Sequence, residues 1–209
     1  MAGTSQGAGE DEGGVKVPVR GQPACITGGE MREYQIEGLK WLVKQHDSGV
    51  GGVLGDEMGL GKTLQCISFL GFLKTVRKEN SPHLVVAPLS VMNSWIAECA
   101  RWCPSLRVVA FHGSSAERER LRTEVLHKGD FDVCCTTYEM LTADTHGLSA
   151  RFQWGYVVLD EAHRAKNERS NLGQAVRKLK CNSRLLITGT PLQNRLLDPQ
   201  PVFDHPLVA

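Results

Sequence analysis

The stretch Gly55-Asp-Glu-Met-Gly-Leu-Gly-Lys-Thr63 decides the fold class, because it has the composition of a phosphate-binding loop between a strand and a helix. Its glycines let the backbone curl so that several N–H groups point at one anion, and the helix that follows adds the positive end of its dipole. Lys62 would reach the β- and γ-phosphates, and the Thr63 hydroxyl would bind Mg²⁺. A glycine-rich turn before a helix is the alternative, since Asp56 stands where such a loop usually begins with glycine.

Composition places the chain among globular α/β domains. It has 209 residues, of which 41% are hydrophobic and 22% are charged. The sequence has neither a membrane-spanning apolar run nor a signal peptide, so we expect a soluble protein that is not secreted and has no membrane partner. The net charge is +1, so any nucleic-acid signal must be local. The seven cysteines lack Cys-x-x-Cys spacing, which favours reduced core thiols over a zinc site.

Short apolar strands alternate with helices from Met31 onward, whereas residues 1–30 read as a disordered, Gly-rich N-terminal tail. Leu172, Ala175, Val176 and Leu179 mark one amphipathic helix by their spacing. Five or six strands in this pattern predict a parallel sheet with helices on both faces and ligands at the carboxyl ends of the strands. The predicted strands are 51–54, 83–88, 107–111, 132–137, 156–160 and 185–188.

A second chemical site follows the apolar run 156–159, where Asp160-Glu-Ala-His163 begins with two carboxylates. At the ligand edge of a parallel sheet this is a Walker B arrangement, in which Asp160 holds Mg²⁺ and Glu161 positions the attacking water. The alternative is a strand end followed by an acidic helix cap. Thr188-Gly-Thr-Pro191 ends the last strand in a turn that could sense the phosphates, although alone it would be an ordinary turn.

These motifs resemble the first motor lobe of Swi/Snf-related chromatin-remodelling ATPases, a branch of helicase superfamily two with a RecA-like fold. Imitation-switch and chromodomain-helicase-like members are the most similar. The resemblance assigns residues 31–197 to a helicase ATP-binding domain, RecA-like lobe 1, and it accounts for Asp56, because the Asp-Glu-Met form of the loop is the one this family uses. The matching stretches are 31–41, 56–63, 88–90 with Trp95, 136–139, 160–167 and 186–194.

The resemblance implies ATP and Mg²⁺ as cofactors and a role for each matching residue. Lys62, Asp160 and Glu161 are the expected catalytic residues, and Thr63 and Asp160 the expected metal ligands. The implied nucleotide-binding residues are Tyr34, Gln35, Asp56, Glu57, Met58, Gly59, Leu60, Gly61, Lys62 and Thr63. The implied coupling residues are His163, Thr188, Gly189 and Thr190. The implied DNA contacts are Ser90, Thr136, Thr137 and Tyr138.

A basic cluster runs from Arg164 to Arg184, with seven basic residues against the single acid Glu168. A solvated helix face is one interpretation. The other is a patch for the nucleic-acid backbone, which would add Arg164 and Lys166 to the DNA contacts and give affinity without sequence choice.

The resemblance implies a DNA-dependent ATPase that translocates on double-stranded DNA and repositions nucleosomes in the nucleus. A second lobe completes the ATP site in such motors and is missing from this sequence. Residues 198–209 form a non-family C-terminal tail with three prolines. We therefore expect nucleotide and DNA binding with little hydrolysis. The alternatives are a non-catalytic binding or competing fragment and, among enzymes, a strand-separating superfamily-two helicase.

Overall fold

The computed structural model describes residues 17–55, 59–149, 152–165, 167 and 169–189. In this part of the chain, six strands form one sheet in the spatial order β1-β6-β5-β2-β4-β3, and every neighbouring pair is parallel. The predicted α/β class and parallel sheet are therefore confirmed. The strands are β1 (Gly52–Gly55), β2 (His83–Ala87), β3 (Val108–Phe111), β4 (Val133–Thr137), β5 (Trp154–Asp160) and β6 (Cys181–Thr188).

Helices cover both faces of the sheet, because the inner strands are apolar on both sides. On β2, Val85 belongs to the core beneath α1, α2 and α3, whereas Leu84 and Val86 belong to the core beneath α5, α6 and α7. The helices are α1 (Glu33–Asp47), α2 (Lys62–Thr75), α3 (Leu89–Trp102), α4 (Ser115–Glu124), α5 (Tyr138–Ala143), α6 (Thr145–Ser149) and α7 (Asn171–Lys178). Short 3₁₀ turns occupy Leu126–Lys128 and Ala162–Ala165.

Local sequence explains the two helices that matter most for the site. In α2 every residue from Leu64 to Leu73 is buried, because α1 and α3 flank a helix that already lies on the sheet. α7 is amphipathic, as predicted from its spacing, and buries Ala175 and Val176. Its start is fixed by Ser170, whose hydroxyl accepts a hydrogen bond from the Gly173 N–H at 3.1 Å.

The domain begins before Met31, which corrects the predicted tail boundary. Ile26 is buried in the core, and the Thr27 N–H donates to the Trp102 carbonyl at the end of α3 at 3.0 Å. The Gly-rich composition of residues 1–30 concealed this docking because apolar side chains are few in the segment. Residues 1–16 lie outside the described part of the chain.

The other differences between the predicted and the observed secondary structure are local. Helices α5 and α6 were not predicted, and β6 begins at Cys181 rather than at 185, because its first residues are polar and carry no apolar signal. Several predicted features lie outside the described residues: Asp56, Glu57, Met58, Lys166, Thr190 and the tail 198–209. Among the helices described, none combines the length and apolar character needed to cross a membrane.

Candidate functional site

The loop after β1 has the backbone geometry of an anion site. Gly59 and Gly61 have φ angles of 87° and 74°, in the left-handed region that glycine adopts without steric cost. α2 begins directly afterwards at Lys62, and Gly61, its N-cap residue, places no side chain over the first turn. The N–H groups of that turn and the positive end of the helix dipole therefore favour an anion at this position.

Gln35 fastens this loop to α1. Its side chain is buried; Oε1 accepts a hydrogen bond from the Arg32 N–H at 2.9 Å, and Nε2 donates to the Leu60 carbonyl at 3.3 Å. A Cβ atom on Gly61 would lie 2.4 Å from Nε2, so only glycine allows this approach. The adenine contact expected of Gln35 and Tyr34 stays a prediction, and the structure adds a loop-holding role for Gln35.

A cavity of about 500 Å³ adjoins the loop between α1 and β1. Tyr34 and Trp41 are both exposed and form part of its wall. The cavity extends from the loop toward β1, the edge strand of the sheet, so the site has room for a ligand larger than phosphate. It is lined by Tyr34, Glu37, Gly38, Trp41, Val53, Leu54, Gly55, Leu60 and Gln65.

Asp160, the last residue of β5, is held at three points. Its Oδ2 accepts a hydrogen bond from the Trp95 indole N–H at 2.8 Å, and its Oδ1 accepts one from the Glu161 N–H at 2.9 Å. Its backbone carbonyl accepts a third from the Tyr138 hydroxyl at 2.6 Å. Burial raises the pKa of Asp160, while the Trp95 and Glu161 donors and the positive charge of Lys62 act in the opposite direction.

Trp95 and Tyr138 are the residues whose part in this site the sequence did not reveal. Trp95 was recognised only as part of a family motif, and Tyr138 only as an implied DNA contact. Their contacts with Asp160 join positions that are distant in sequence, and neither side chain type marks a metal site. No spacing rule could have found them.

Glu161 sits in a strained backbone conformation. Its φ angle is 52°, and a non-glycine residue held there costs about 1 to 3 kcal/mol. Such strain persists where the surrounding structure enforces it, and it is concentrated at functional sites. The Glu161 carboxylate lies 3.3 Å from Nδ1 of His163, whose side chain is exposed. The predicted water-positioning residue is thus accessible and already oriented by a neighbour.

The loop and the carboxylates share one edge of the sheet, although β1 and β5 are not neighbours. β6 lies between them, with Thr188 beside Gly55 and Ile187 beside Asp160. Two strand spacings amount to about 10 Å, a distance that a nucleotide phosphate chain with its metal can bridge. The carboxyl end of β6, at Thr188, therefore lies between the phosphate loop and Asp160, and Gly189 follows it.

The donor set suits Mg²⁺. Magnesium keeps several waters and is usually held by one or two carboxylates together with substrate phosphates. Among the described residues no group of three His, Cys, Asp or Glu side chains converges as a dedicated metal cage would require. The two predicted ligands, the Thr63 hydroxyl at the start of α2 and the Asp160 carboxylate, are hard oxygen groups at one edge of the sheet, and their binding of Mg²⁺ stays a prediction.

The predicted DNA contacts differ in their accessibility. Ser90 is exposed in the first turn of α3, and Arg164 is exposed on the neighbouring 3₁₀ turn. Thr136 is fully buried and donates to the Phe111 carbonyl at 2.8 Å. Thr137 is also buried and caps α5, and the buried Tyr138 ring lies beneath the Arg164 guanidinium. The side chains of Ser90 and Arg164 are therefore accessible to DNA in this structure. Those of Thr136, Thr137 and Tyr138 are not.

The basic cluster between Arg164 and Arg184 is divided. Arg184 is buried and donates to the Leu179 carbonyl at 3.0 Å, so it is part of the core. Because α7 runs back across the sheet, Lys178 at its end lies at the opposite edge from Arg164. The described basic residues of this run therefore do not share one surface, and a DNA contact by part of the run stays a prediction. Among the described residues of the run, Arg164 and Arg169 lie at the carboxyl edge.

A glycine loop at a helix N-terminus and paired carboxylates two strands away, on one edge of a parallel sheet, define a P-loop ATPase lobe of the RecA-like type. The chain belongs to the SNF2-related domain family, whose model matches residues 34–204.

Similar proteins support the same assignment. An ISWI chromatin-remodeling complex ATPase of Arabidopsis thaliana is 49% identical over 191 residues, which cover 90% of this chain and 18% of that protein. A human SWI/SNF-related matrix-associated actin-dependent regulator of chromatin, subfamily A member 1, is 48% identical over 174 residues, or 83% of this chain and 17% of that protein. The predicted resemblance to Swi/Snf-related and imitation-switch ATPases is thereby confirmed.

A solved structure shows the same fold. The chain matches the Sulfolobus solfataricus SWI2/SNF2 ATPase core in complex with dsDNA with a TM-score of 0.75 and 36% identity, over 87% of this chain and 36% of that one. The chain spans less than a fifth of the length of the curated relatives, namely 18% and 17% of the two described. It corresponds to the first ATPase lobe of these chromatin-remodelling enzymes.

Proposed function

We propose that the chain binds Mg-ATP at the edge formed by α2, β6 and β5, as the first half-site of a DNA-translocating ATPase. The observation that supports this most directly is that the glycine loop before α2 and Asp160 at the end of β5 lie at one edge of the sheet, on either side of β6. Phosphate oxygens would lie on the N–H groups of the first turn of α2, beside Lys62. Thr63 and Asp160 would hold Mg²⁺, which neutralises charge on the phosphates, and Glu161 would orient water.

The direct test is calorimetric titration with Mg-ADP. Lys62→Ala should weaken binding by at least about tenfold, because the ammonium group is the main cation at the predicted phosphate position. Lys44→Ala is the matched control, since Lys44 is exposed on α1 away from the loop. Equal affinities for the wild-type and Lys62→Ala chains would remove the phosphate loop from the proposed site.

We propose that the same lobe contacts the backbone of double-stranded DNA, including nucleosomal DNA in the nucleus. Support comes from the solved relative, which was determined with double-stranded DNA, and from the exposed Ser90, Arg164 and Arg169 near the nucleotide edge. Contacts of this type give binding that is indifferent to sequence and steeply dependent on salt.

A salt titration separates this proposal from a merely solvated basic face. Each lost phosphate contact should flatten the slope of log K against log salt by about 0.9. The double variant Arg164→Gln and Arg169→Gln should therefore flatten it by nearly twice that amount. Lys178→Gln with Lys180→Gln is the control, because Lys178 ends α7 and Lys180 follows it at the opposite edge. Identical slopes for both double variants would return Arg164 and Arg169 to the solvated-face interpretation.

We further propose that the 209-residue polypeptide hydrolyses ATP slowly. An arginine directed at the γ-phosphate is worth about 10³ to 10⁵ in rate, and Arg164, which is close to the site, is engaged with Glu139 at 3.0 Å. A steady-state ATPase assay with duplex DNA, using Glu161→Gln to detect contaminating activity, distinguishes slow turnover from a fully active lobe. A duplex-unwinding assay with the same samples tests the strand-separating alternative.

A further inference from the structure

Two cysteines meet at a place that the nucleotide site does not use. Cys25 lies half-buried in the segment before α1, and Cys103 lies fully buried at the end of α3. The hydrogen bond from the Thr27 N–H to the Trp102 carbonyl, at 3.0 Å, fastens the two segments together. Residues far apart in sequence are thus held side by side by the backbone.

Gly71 on α2 shows how closely the two sulfur atoms converge. A Cβ atom built there would lie 2.7 Å from Sγ of Cys103 and 3.0 Å from Sγ of Cys25. Both sulfurs therefore occupy the space that a side chain at position 71 would fill. Ser105 adds a hydroxyl 3.4 Å from the Cys103 sulfur. All seven cysteines are free thiols in this structure.

The two thiols are chemically unequal. The hydrogen bond from Cys103 lowers the pKa of Cys25, with a further contribution from the Thr75 hydroxyl. That same hydrogen bond, together with burial, raises the pKa of Cys103. Cys25 thus combines thiolate character with partial exposure, the two properties that make a cysteine reactive toward oxidants. Cys103 is positioned as the thiol that attacks the oxidised Cys25.

We propose that Cys25 and Cys103 form a reversible intramolecular disulfide when the protein meets a peroxide. The Cys25 thiolate attacks one peroxide oxygen, the O–O bond breaks, and Cys25 becomes a sulfenic acid as hydroxide leaves. The Cys103 sulfur then attacks the Cys25 sulfur, the S–O bond breaks, and water leaves with the Cys103 proton. The two sulfurs lose two electrons in all, and the peroxide gains them.

The other five cysteines are less suited to react with a peroxide than Cys25 is. Cys66, Cys99, Cys134 and Cys135 are buried in the two cores and carry raised thiol pKa values, chiefly because of burial. Cys181 on β6 is half-buried, but burial raises the pKa of its thiol too. Partial exposure and a lowered pKa therefore coincide only at Cys25.

The disulfide would close a loop that contains α1, β1, the phosphate loop, α2, β2 and α3. Closing so long a loop restricts the unfolded chain strongly. We expect the melting temperature of the oxidised protein to exceed that of the reduced protein by about 5 to 15 °C. The same covalent link would join the N-terminal segment to α3, the helix that carries Trp95.

The test uses the full 209-residue chain, reduced, freed of reductant and titrated with hydrogen peroxide. Peptide mapping by mass spectrometry after alkylation of the remaining thiols should find Cys25 linked to Cys103. Cys181→Ser, the matched control, should form the same link. Cys103→Ser should stop at the sulfenic acid on Cys25, which dimedone traps, and Cys25→Ser should lose peroxide reactivity. Thermal unfolding of the reduced variants verifies that each one folds.

Gly71→Ala provides a second test in which no thiol is removed. Its methyl group would occupy the space where the sulfurs converge, so the cross-linked fraction should fall at least about fivefold while Cys25 still oxidises. The proposal is overturned if peroxide leaves the wild-type chain without the Cys25 to Cys103 link, if other cysteines pair instead, or if the Cys25→Ser chain consumes peroxide as fast as the wild-type chain.

Discussion

Replacing Trp95 by phenylalanine would remove one of the hydrogen bonds that hold Asp160 and leave most of the aromatic packing in place. The Trp95 side chain is buried, and its indole N–H donates to Asp160 Oδ2 at 2.8 Å. A hydrogen bond to a charged acceptor is worth about 1.5 to 3 kcal/mol, and the smaller ring adds about 1 kcal/mol of packing loss. We expect Trp95→Phe to lower the free energy of unfolding by about 2.5 to 4 kcal/mol.

The same change should weaken Mg-nucleotide binding for a different reason. Asp160 is the proposed metal ligand, and groups that orient a ligand are typically worth about 10- to 100-fold in metal affinity. We expect the Kd for Mg-ADP to rise by about tenfold, equivalent to about 1.4 kcal/mol. The loss should disappear when the titration is repeated with ADP and excess EDTA, because Asp160 then has no metal to hold.

Trp154→Phe is the matched control. Trp154 is also fully buried, and its indole N–H also donates at 2.8 Å, but to the Leu148 carbonyl on the other face of the sheet. Urea unfolding should show a loss of stability in both variants, whereas calorimetry should show weaker Mg-ADP binding only for Trp95→Phe. Equal nucleotide affinities in the two variants, or a loss that persists in EDTA, would refute the role of Trp95 in positioning Asp160.

Three further predictions follow from groups outside the metal site. Burial lowers the pKa of His83 to about 4, so His83 stays neutral at pH 5 in the folded chain, whereas in the unfolded chain it takes up a proton below about pH 6.5. Urea unfolding should therefore show about 2 kcal/mol less stability at pH 5 than at pH 7. The His83→Gln variant should lack this pH-dependent loss of stability. Arg184→Met should cost about 1 to 3 kcal/mol in the same assay but leave the salt slope of DNA binding unchanged, because its guanidinium is buried. Gly61→Ala should weaken Mg-ADP binding at least about tenfold, since its Cβ would displace the Gln35 amide from the loop.

Much of the fold was predictable because its signals are local. The apolar run of β2, the glycines before Lys62 and the apolar spacing in α7 each determine one element without reference to the rest of the chain. Parallel order then follows from the alternation of strands and helices, and it places strand ends at a common edge. The phosphate loop and Asp160 were predictable for this reason: each follows an apolar strand directly.

Features that depend on which residues a side chain contacts in the fold were not predictable from the sequence. The Gly-rich segment gave no sign that Ile26 would be buried, and the basic run gave no sign that Arg184 would turn inward. Composition reports how polar a segment is on average, whereas burial depends on which face of the neighbouring helix receives it. The spatial order of the strands was equally hidden, so the position of β6 between β1 and β5 came only from the structure.

The contacts of Asp160 show why the site depends on both faces of the sheet. Trp95 reaches its carboxylate from α3 on one face, and Tyr138 reaches its backbone carbonyl from α5 on the other. Both helices begin where their strands end, so their N-termini lie at the same edge as the phosphate loop. A shift of either helix along the sheet would move a donor that holds Asp160. The geometry of the proposed metal site is therefore set by the packing of two helices that contribute none of the proposed metal ligands.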